Sequence, residues 1–283
     1  MKRAALLLTP LVLFLVLLLG ALYPLTMIRG KQPPEVRLAF YPPPAVIKAL
    51  STEYYHFLSQ VIFINCTFYY GTMVEREETP NWERMYRALY TSARLDPYNM
   101  DSYYMAQAIL IWDAGMIGPT IDLLEYGFAH RTWDWYLPFF LSFDYAYFRG
   151  DYEKAGQYMT KAAALNKRAG FFYTLAARYY YEGGRTALAL AYLKELIPNE
   201  RNEAIRGRMI TRAQALEGIL TLERAVSAFK EHHHRPPRDL EEVKRAGFIE
   251  KIPVDPYGGT FYLDKRGRVR TTSKLAKAKK GKK

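Results

Sequence analysis

Apolar and small residues recur through the middle of this chain with a period of 34–35 residues. Each repeat begins at a turn residue, and a large apolar residue follows nine places later. The residue twelve places after the turn is small in most repeats. The turns are Pro80, Gly115, Gly150 and Gly184, the residues nine later are Leu89, Leu124, Met159 and Leu193, and those twelve later are Ser92, Gly127, Ala162 and Leu196. This period predicts stacked helix–turn–helix units, which build an extended surface rather than a buried catalytic pocket.

Capping residues and helix breakers divide this region into predicted helices. Asn81 is a typical N-cap, and Pro97 ends the following helix because proline disfavours helical geometry in the residue before it. Either Asp101 or Ser102 is expected to cap the next helix, and Pro138 is placed to kink a later one. The predicted helices are 45–73, 82–95, 103–114, 120–129, 133–148, 152–165, 171–182 and 186–196.

Segment 81–198 resembles the tetratricopeptide repeat (TPR) family. The clearest match is Tyr147 to Ala155, followed by Met159, Ala162 and Leu165, which looks like that family's glycine turn, aromatic position and hydrophobic second helix. The resemblance implies an all-α superhelix that binds a peptide or partner segment in its concave groove. It implies no particular ligand residues, because those that line the groove vary within the family.

An aromatic group at the start of one predicted helix is the candidate for partner binding. Large rings either fill a helix–helix interface or remain exposed as contact sites, and core packing is the alternative interpretation here. The group consists of Trp133, Trp135, Tyr136, Phe139 and Phe140.

The N-terminus carries an apolar stretch, 4–28, with two basic residues on each side. Its length exceeds the roughly 20 residues needed to span a bilayer, which predicts an uncleaved signal anchor over 1–30. A cleaved signal peptide is the alternative. The basic N-terminus favours a single-pass protein of the bacterial inner membrane with most of the chain in the periplasm. A proline-rich spacer over 31–44 follows.

The apolar run 45–73 could be mistaken for a second membrane span. Its polar residues, including Glu53, Gln60 and Asn65, argue against that reading because each is costly in hydrocarbon. A long, buried helix of the solenoid is the interpretation we prefer.

The C-terminal segment 199–273 predicts a separate module. A helix over 205–232 is followed by a short helix capped at Asp239. The turn residues Asp255, Pro256 and Gly258 precede two short apolar runs that flank 264–267, which predicts a β-hairpin.

This module resembles the C-terminal part of type II secretion pseudopilins. The matching residues are Pro237, Leu240, Val243, Pro253, Asp255, Pro256, Tyr257 and Gly258. Major pseudopilins bind calcium after that loop, but only Asp255 and Asp264 are near it here. These are too few carboxylates for a calcium site, and we expect none.

The net charge of +12 is concentrated at the C-terminus, where 274–283 forms a lysine-rich tail without acids. Such a tail is typically solvated, and its functional alternative is contact with anionic lipid. Nucleic acid is not expected as a partner, because no aromatics are interleaved with the lysines and no nucleic-acid motif occurs elsewhere.

No motif for catalysis, cofactor binding or a metal site occurs in the sequence. Cys66 lies in an apolar run and is expected to be buried. The three consecutive histidines His232 to His234 cannot all point to one side of a helix. We therefore expect a protein that is not an enzyme.

These observations predict a membrane-anchored scaffold whose helical segment 45–198 binds protein partners. A role in pilus, secretion or export machinery is the extension suggested by the C-terminal resemblance. The alternatives are an accessory subunit of an envelope lipid- or polymer-processing enzyme and a structural tether that uses the basic tail.

Overall fold

The computed structural model describes residues 14–24 and 38–276, and these are mostly helical, as the sequence predicts. The chain divides into two compact units, Met1–His130 and Arg131–Lys283. This division falls inside the segment 45–198. Parts of the predicted anchor, spacer and lysine tail lie outside the described residues.

Unit 1 contains the first two helix pairs of the repeat. Its helices are α1 (Phe14–Pro24), α2 (Pro44–Ser51), α3 (Tyr55–Glu75), α4 (Trp82–Leu95), α5 (Met100–Met105), which continues into a π-helical turn at Ala106–Leu110, and α6 (Ile117–His130). Helix α4 packs against α3 on one side and α5 on the other.

Unit 2 contains two further pairs and the C-terminal module. Its helices are α7 (Tyr136–Asp144), with a π-helical turn at Tyr145–Arg149, α8 (Tyr152–Leu165), α9 (Phe171–Glu182), α10 (Thr186–Leu196), with a 3₁₀ turn at Ile197–Asn199, α11 (Glu203–His233) and α12 (Leu240–Arg245). Strands β1 (Phe261–Leu263) and β2 (Val269–Thr271) form an antiparallel hairpin in which Tyr262 is opposite Arg270.

Left-handed glycines connect the two helices of three pairs. Gly115, Gly150 and Gly184 have φ values of 65°, 64° and 77°. Most other residues avoid this conformation because their Cβ atoms clash with the backbone. The four residues nine places after each turn are all buried: Leu89, Leu124, Met159 and Leu193. The period of the sequence is therefore the period of the helix pairs.

Two glycines allow tyrosine rings to pack directly on helix backbones. A Cβ atom at Gly127 would lie 2.7 Å from the Tyr103 ring, and one at Gly156 would lie 2.7 Å from the Tyr180 ring. Gly127 is one of the small positions of the repeat. These close contacts explain why small residues are needed where successive helices meet.

Three serine hydroxyls form a hydrogen-bonded chain, here called the serine chain, through the core of unit 1. The Oγ atoms of Ser59 on α3 and Ser92 on α4 are 3.0 Å apart, and those of Ser92 and Ser102 on α5 are 2.8 Å apart. Each hydroxyl of the α3–α4 pair is also within hydrogen-bonding distance of the other serine's carbonyl. All three side chains are fully buried.

The structure corrects several predicted helix boundaries. The run 45–73 is two helices, because the chain breaks at Thr52 with φ 51°. Asn99 caps α5 by accepting from the Asp101 N–H, so neither Asp101 nor Ser102 is the cap. Pro138 lies in the first turn of α7, where no intrahelical donor is lost.

The C-terminal module packs on α11 and is connected to α9. Asp239 caps α12 by accepting from the Glu242 N–H at 2.7 Å, as predicted. The Tyr181 hydroxyl on α9 donates to the Val269 carbonyl at 3.0 Å, and Arg270 forms a 2.8 Å ion pair with Glu182. The hairpin is therefore fixed to the last helix pair by polar contacts as well as by its buried apolar residues.

Candidate partner-binding surface

The start of α7 positions the predicted aromatic group. Asp134 is buried and accepts from the Tyr136 N–H through Oδ1 at 2.9 Å. Its other oxygen accepts from Nη2 of Arg131 at 2.7 Å and from Nε at 3.0 Å. Helix α7 begins at Tyr136, directly after this turn, which is three residues later than the predicted start at Trp133.

Two of the predicted residues pack into the core. The Trp135 and Phe139 rings lie with their centroids 5.4 Å and 5.3 Å from that of Phe172, which is fully buried on α9. Both are half-buried against the core of unit 2. For these residues the structure favours core packing, the alternative that the sequence left open.

Two other members of the group, Trp133 and Tyr136, are more accessible. Trp133 is 60% exposed and Tyr136 is 46% exposed, while Phe140 is half-buried beside Tyr136. Tyr136 stacks on Trp135 with ring centroids 3.8 Å apart. The Arg131 guanidinium lies 5.5 Å from the Trp133 ring centroid.

Sequence reasoning missed Phe171, which is 51% exposed at the start of α9. Its centroid is 4.5 Å from that of Phe172, so the rings run continuously from α7 to α9. The Phe-Phe pair after Gly170 was the available signal. We call this surface the aromatic patch: Trp135, Tyr136, Phe139, Phe140, Phe171 and Phe172.

The aromatic patch combines a rigid base with accessible edges. Its inner rings are held by Phe172, so their positions are fixed before any partner arrives. Exposed aromatic side chains lose little conformational entropy on binding, and they offer both apolar faces and, for tyrosine, a hydroxyl. Such a surface suits the apolar side chains of a protein segment.

The predicted turn residues of the C-terminal loop are held by a buried carboxylate. Asp255 accepts from the Tyr257 N–H at 2.9 Å through Oδ1 and from the Ser273 hydroxyl at 2.6 Å through Oδ2, which the Thr271 hydroxyl also contacts. Gly258 has φ 82°. All these contacts are internal to the loop and hairpin.

The histidine run lies at the end of α11 and packs against an aromatic ring. His232 and His233 lie with their ring centroids 5.8 Å from that of Phe248, and His234 ends the helix with φ 54°. Among the described residues, no group of three histidine, cysteine or acidic side chains is placed to hold a metal ion.

Helix α3 presents apolar residues on two opposite sides. Cys66 and Met73 are fully buried on the side that packs on α4, whereas Phe57, Ile64 and Phe68 are 66%, 46% and 72% exposed on the other. Within the described residues it is the helix that is long and apolar enough to cross a membrane, a property shared by core helices. The prediction of a buried helix therefore holds for the side that packs on α4 and not for the outer side.

Comparison with known proteins adds little to this picture. No protein-family model matches the chain, and no curated protein matches it. The crystal structure of TTC0263, a thermophilic TPR protein in Thermus thermophilus, aligns with 68% of this chain and 100% of its own at 16% identity. The TM-score of 0.32 is too low for this likeness to support an argument about fold or function.

Proposed function

We propose that this protein is a scaffold that binds a segment of a protein partner at the aromatic patch of unit 2. The observation that supports this function is the group of accessible aromatic side chains on the helix pairs of unit 2. The scaffold would have no catalytic activity of its own.

The repeat supports the proposal because its helices pack in sequence-local pairs and leave side chains at the ends of α7 and α9 accessible. Tyr136 and Phe171 are both about half exposed, and each is adjacent to a ring fixed in the core. Fixed aromatic residues with exposed edges are the side chains that contribute most to protein–protein interfaces.

We also propose that the chain is anchored in the bacterial inner membrane by its N-terminal apolar stretch, with its bulk in the periplasm. Helix α1 is the described part of that stretch, and every residue in it is exposed. Phe14–Pro24 alone is shorter than the roughly 20 residues of a span, so the anchor needs the flanking apolar residues.

The C-terminal module extends the proposal to pilus, secretion or export machinery. Its helix, aspartate-containing turn and hairpin follow the order found in the family that the sequence resembles. This extension rests on the resemblance, so the partner's identity must decide it.

Site-specific photocrosslinking in cells tests the proposed function. A photoreactive phenylalanine analogue would replace Tyr136 in the aromatic patch or, as the control, Tyr262 on β1. The two side chains are matched in exposure, at 46% and 45%. We expect a discrete crosslinked partner from position 136 alone, and mass spectrometry would identify it.

The crosslink should depend on the rest of the patch. Phe171→Ala should reduce it severalfold, because a neighbouring aromatic contact is removed while Phe172 remains in the core. Equal capture at positions 136 and 262, or capture that Phe171→Ala leaves unchanged, would contradict the proposed surface. Partners that belong to lipid or polymer synthesis would contradict the pilus and secretion extension only.

A further inference from the structure

Helix α11 carries a buried guanidinium within the core of unit 2. Arg212 is only 9% exposed. Its Nε donates to the Tyr257 hydroxyl at 3.1 Å, and its Nη2 donates to the Leu275 carbonyl at 2.6 Å. Both acceptors are neutral oxygen atoms. The guanidinium is therefore held in position by two bonds that do not balance its charge.

The third nitrogen of this guanidinium has no acceptor among the described residues. Nη1 is buried and without a hydrogen-bond partner. The carboxylate of Asp255 is near enough to favour the charged guanidinium, but it accepts its hydrogen bonds within the turn and hairpin, from Tyr257, Thr271 and Ser273. An unsatisfied buried donor that belongs to a charged group destabilises the fold unless an acceptor binds to it. Burial also lowers the pKa of Arg212, and the charge of Arg178 acts in the same direction.

Arg212 lines an open cleft of about 630 Å³. Ala204 and Ala276 contribute apolar surface to its walls, and Tyr257 contributes the ring that lies 5.3 Å from the guanidinium carbon. Two threonines and two arginines also line the cleft, and a cleft of this size with both apolar and polar walls can hold a small organic ligand.

A glycine keeps this cleft open. Gly207 lies within α11 and lines the cleft, and a Cβ atom at this position would meet no atom within 4 Å. Packing therefore does not require glycine here, although glycine weakens a helix relative to alanine. Any larger side chain at this position would project into open space at the cleft.

The charge around the cleft favours an anion. Arg208 lines it together with Arg212. Among the described residues that line the cleft, none is acidic. A local excess of positive charge attracts anions and speeds their association.

We propose that this cleft binds a carboxylate group carried on a small apolar body. The carboxylate would accept from Nη1 of Arg212, and the apolar body would lie against Ala204 and Ala276. This site is separate from the aromatic patch and does not depend on the proposed scaffold function.

Calorimetric titration of the full-length protein in detergent with benzoate tests the proposal, with benzamide as the uncharged ligand of the same shape. We expect benzoate to bind at least tenfold more tightly than benzamide. Arg212→Met should reduce benzoate affinity at least tenfold. Arg206→Met is the matched control, because Arg206 is on the same helix but outside the cleft, where it pairs with Glu203 at 3.7 Å. It should leave binding unchanged.

Gly207→Leu keeps the test decisive if Arg212→Met does not fold. A Cβ atom at this position meets no other atom and leucine favours the helix, so the variant should fold, and its side chain should narrow the cleft and abolish benzoate binding. The proposal is overturned if benzoate does not bind, if benzamide binds equally well, or if binding survives Gly207→Leu. Inorganic phosphate that binds as tightly as benzoate would overturn the assignment of an apolar ligand body.

Discussion

Helix α3 is at the N-terminal end of the repeat and helix α11 follows its C-terminal end. The two helices differ in how far their apolar side chains are buried. Helix α11 is covered by α9 and α10 on one side and by α12 and β2 elsewhere. Helix α3 packs on α2 and α4 and leaves Phe57 and Phe68 exposed. Helix α3 is apolar on both sides, whereas α11 carries charged residues on its exposed side, including Arg208, Glu217 and Arg224. The difference therefore lies in the helices' own sequences as well as in what the following chain provides.

The comparison shows how a repeat protein ends its stack. A terminal helix must either be polar on its outer side or be covered, because no further repeat buries it. The C-terminal module covers α11. Helix α3 has neither solution within the described residues, which leaves an apolar surface close in sequence to the proposed membrane anchor.

Removing a phenylalanine ring from each helix should give the largest difference between them in the free energy of unfolding. Phe229→Ala on α11 removes a side chain that is 1% exposed, and should lower the free energy of unfolding by about 3–5 kcal/mol. Phe68→Ala on α3, where the ring is 72% exposed, should change it by less than about 0.5 kcal/mol. Urea unfolding followed by circular dichroism measures both. Comparable losses would show that Phe68 is buried in the folded protein.

Adding one methyl group should have opposite effects in the two units. Gly156→Ala on α8 would press against the Tyr180 ring and should destabilise the protein by about 1–3 kcal/mol. Gly71→Ala on α3 meets open space and should stabilise it by about 0.5–1 kcal/mol through helix propensity. Thermal unfolding of the two variants provides the comparison, and a shift of the same sign in both would refute the packing argument.

The two non-glycine residues at the ends of α2 and α11 offer a smaller test. Thr52 and His234 have φ values of 51° and 54°. Glycine relieves the steric cost, so Thr52→Gly should stabilise the protein by about 1 kcal/mol because threonine is β-branched. His234→Gly should have a smaller effect. Denaturant midpoints measure both, and destabilisation by Thr52→Gly would argue against the break between α2 and α3.

Low pH should weaken the packing of the C-terminal module on α11, over a pH range that the pKa of one carboxyl group sets. A hydrogen bond from Arg235 at 2.6 Å lowers the pKa of Glu242 to about 2, from an ordinary value of 4.5. Because the folded pKa is the lower one, this contribution is complete above about pH 4.5 and is lost as the pH falls towards 2. Glu242→Gln should reduce the melting temperature at pH 6 but have less effect near pH 2.5. An equal effect at both values would contradict the role of the ionised carboxylate.

Local signals were enough to predict much of the fold. The bounds of α8, α9 and α10 match the predicted ones because each helix begins or ends at a strong local signal, such as the cap of Asp151 or the left-handed Gly184. The hairpin was equally predictable, since the turn and the two apolar runs lie within a dozen residues.

Features that depend on distant residues could not be predicted. The outer side of α3 is as apolar as its inner side, so no periodicity distinguishes the buried residues from the exposed ones. The partners of Arg212 lie 45 and 63 residues away in sequence, and nothing near position 212 indicates a cleft. For the aromatic patch, the sequence supplied the α7 residues but missed Phe171, which only packing brings beside them.

The serine chain gives α3 a fixed rotational orientation. If apolar contacts alone held it, a helix that is apolar on all sides could rotate about its axis at little cost in free energy. Rolling α3 by half a turn would break every hydrogen bond between Ser59 and Ser92, and would leave the Ser92–Ser102 bond as the remaining link of the serine chain. These directional hydrogen bonds therefore fix the rotation of α3 about its own axis. They determine which side of α3 faces outward. The exposed aromatic rings of α3 therefore stay on the outer side of the helix.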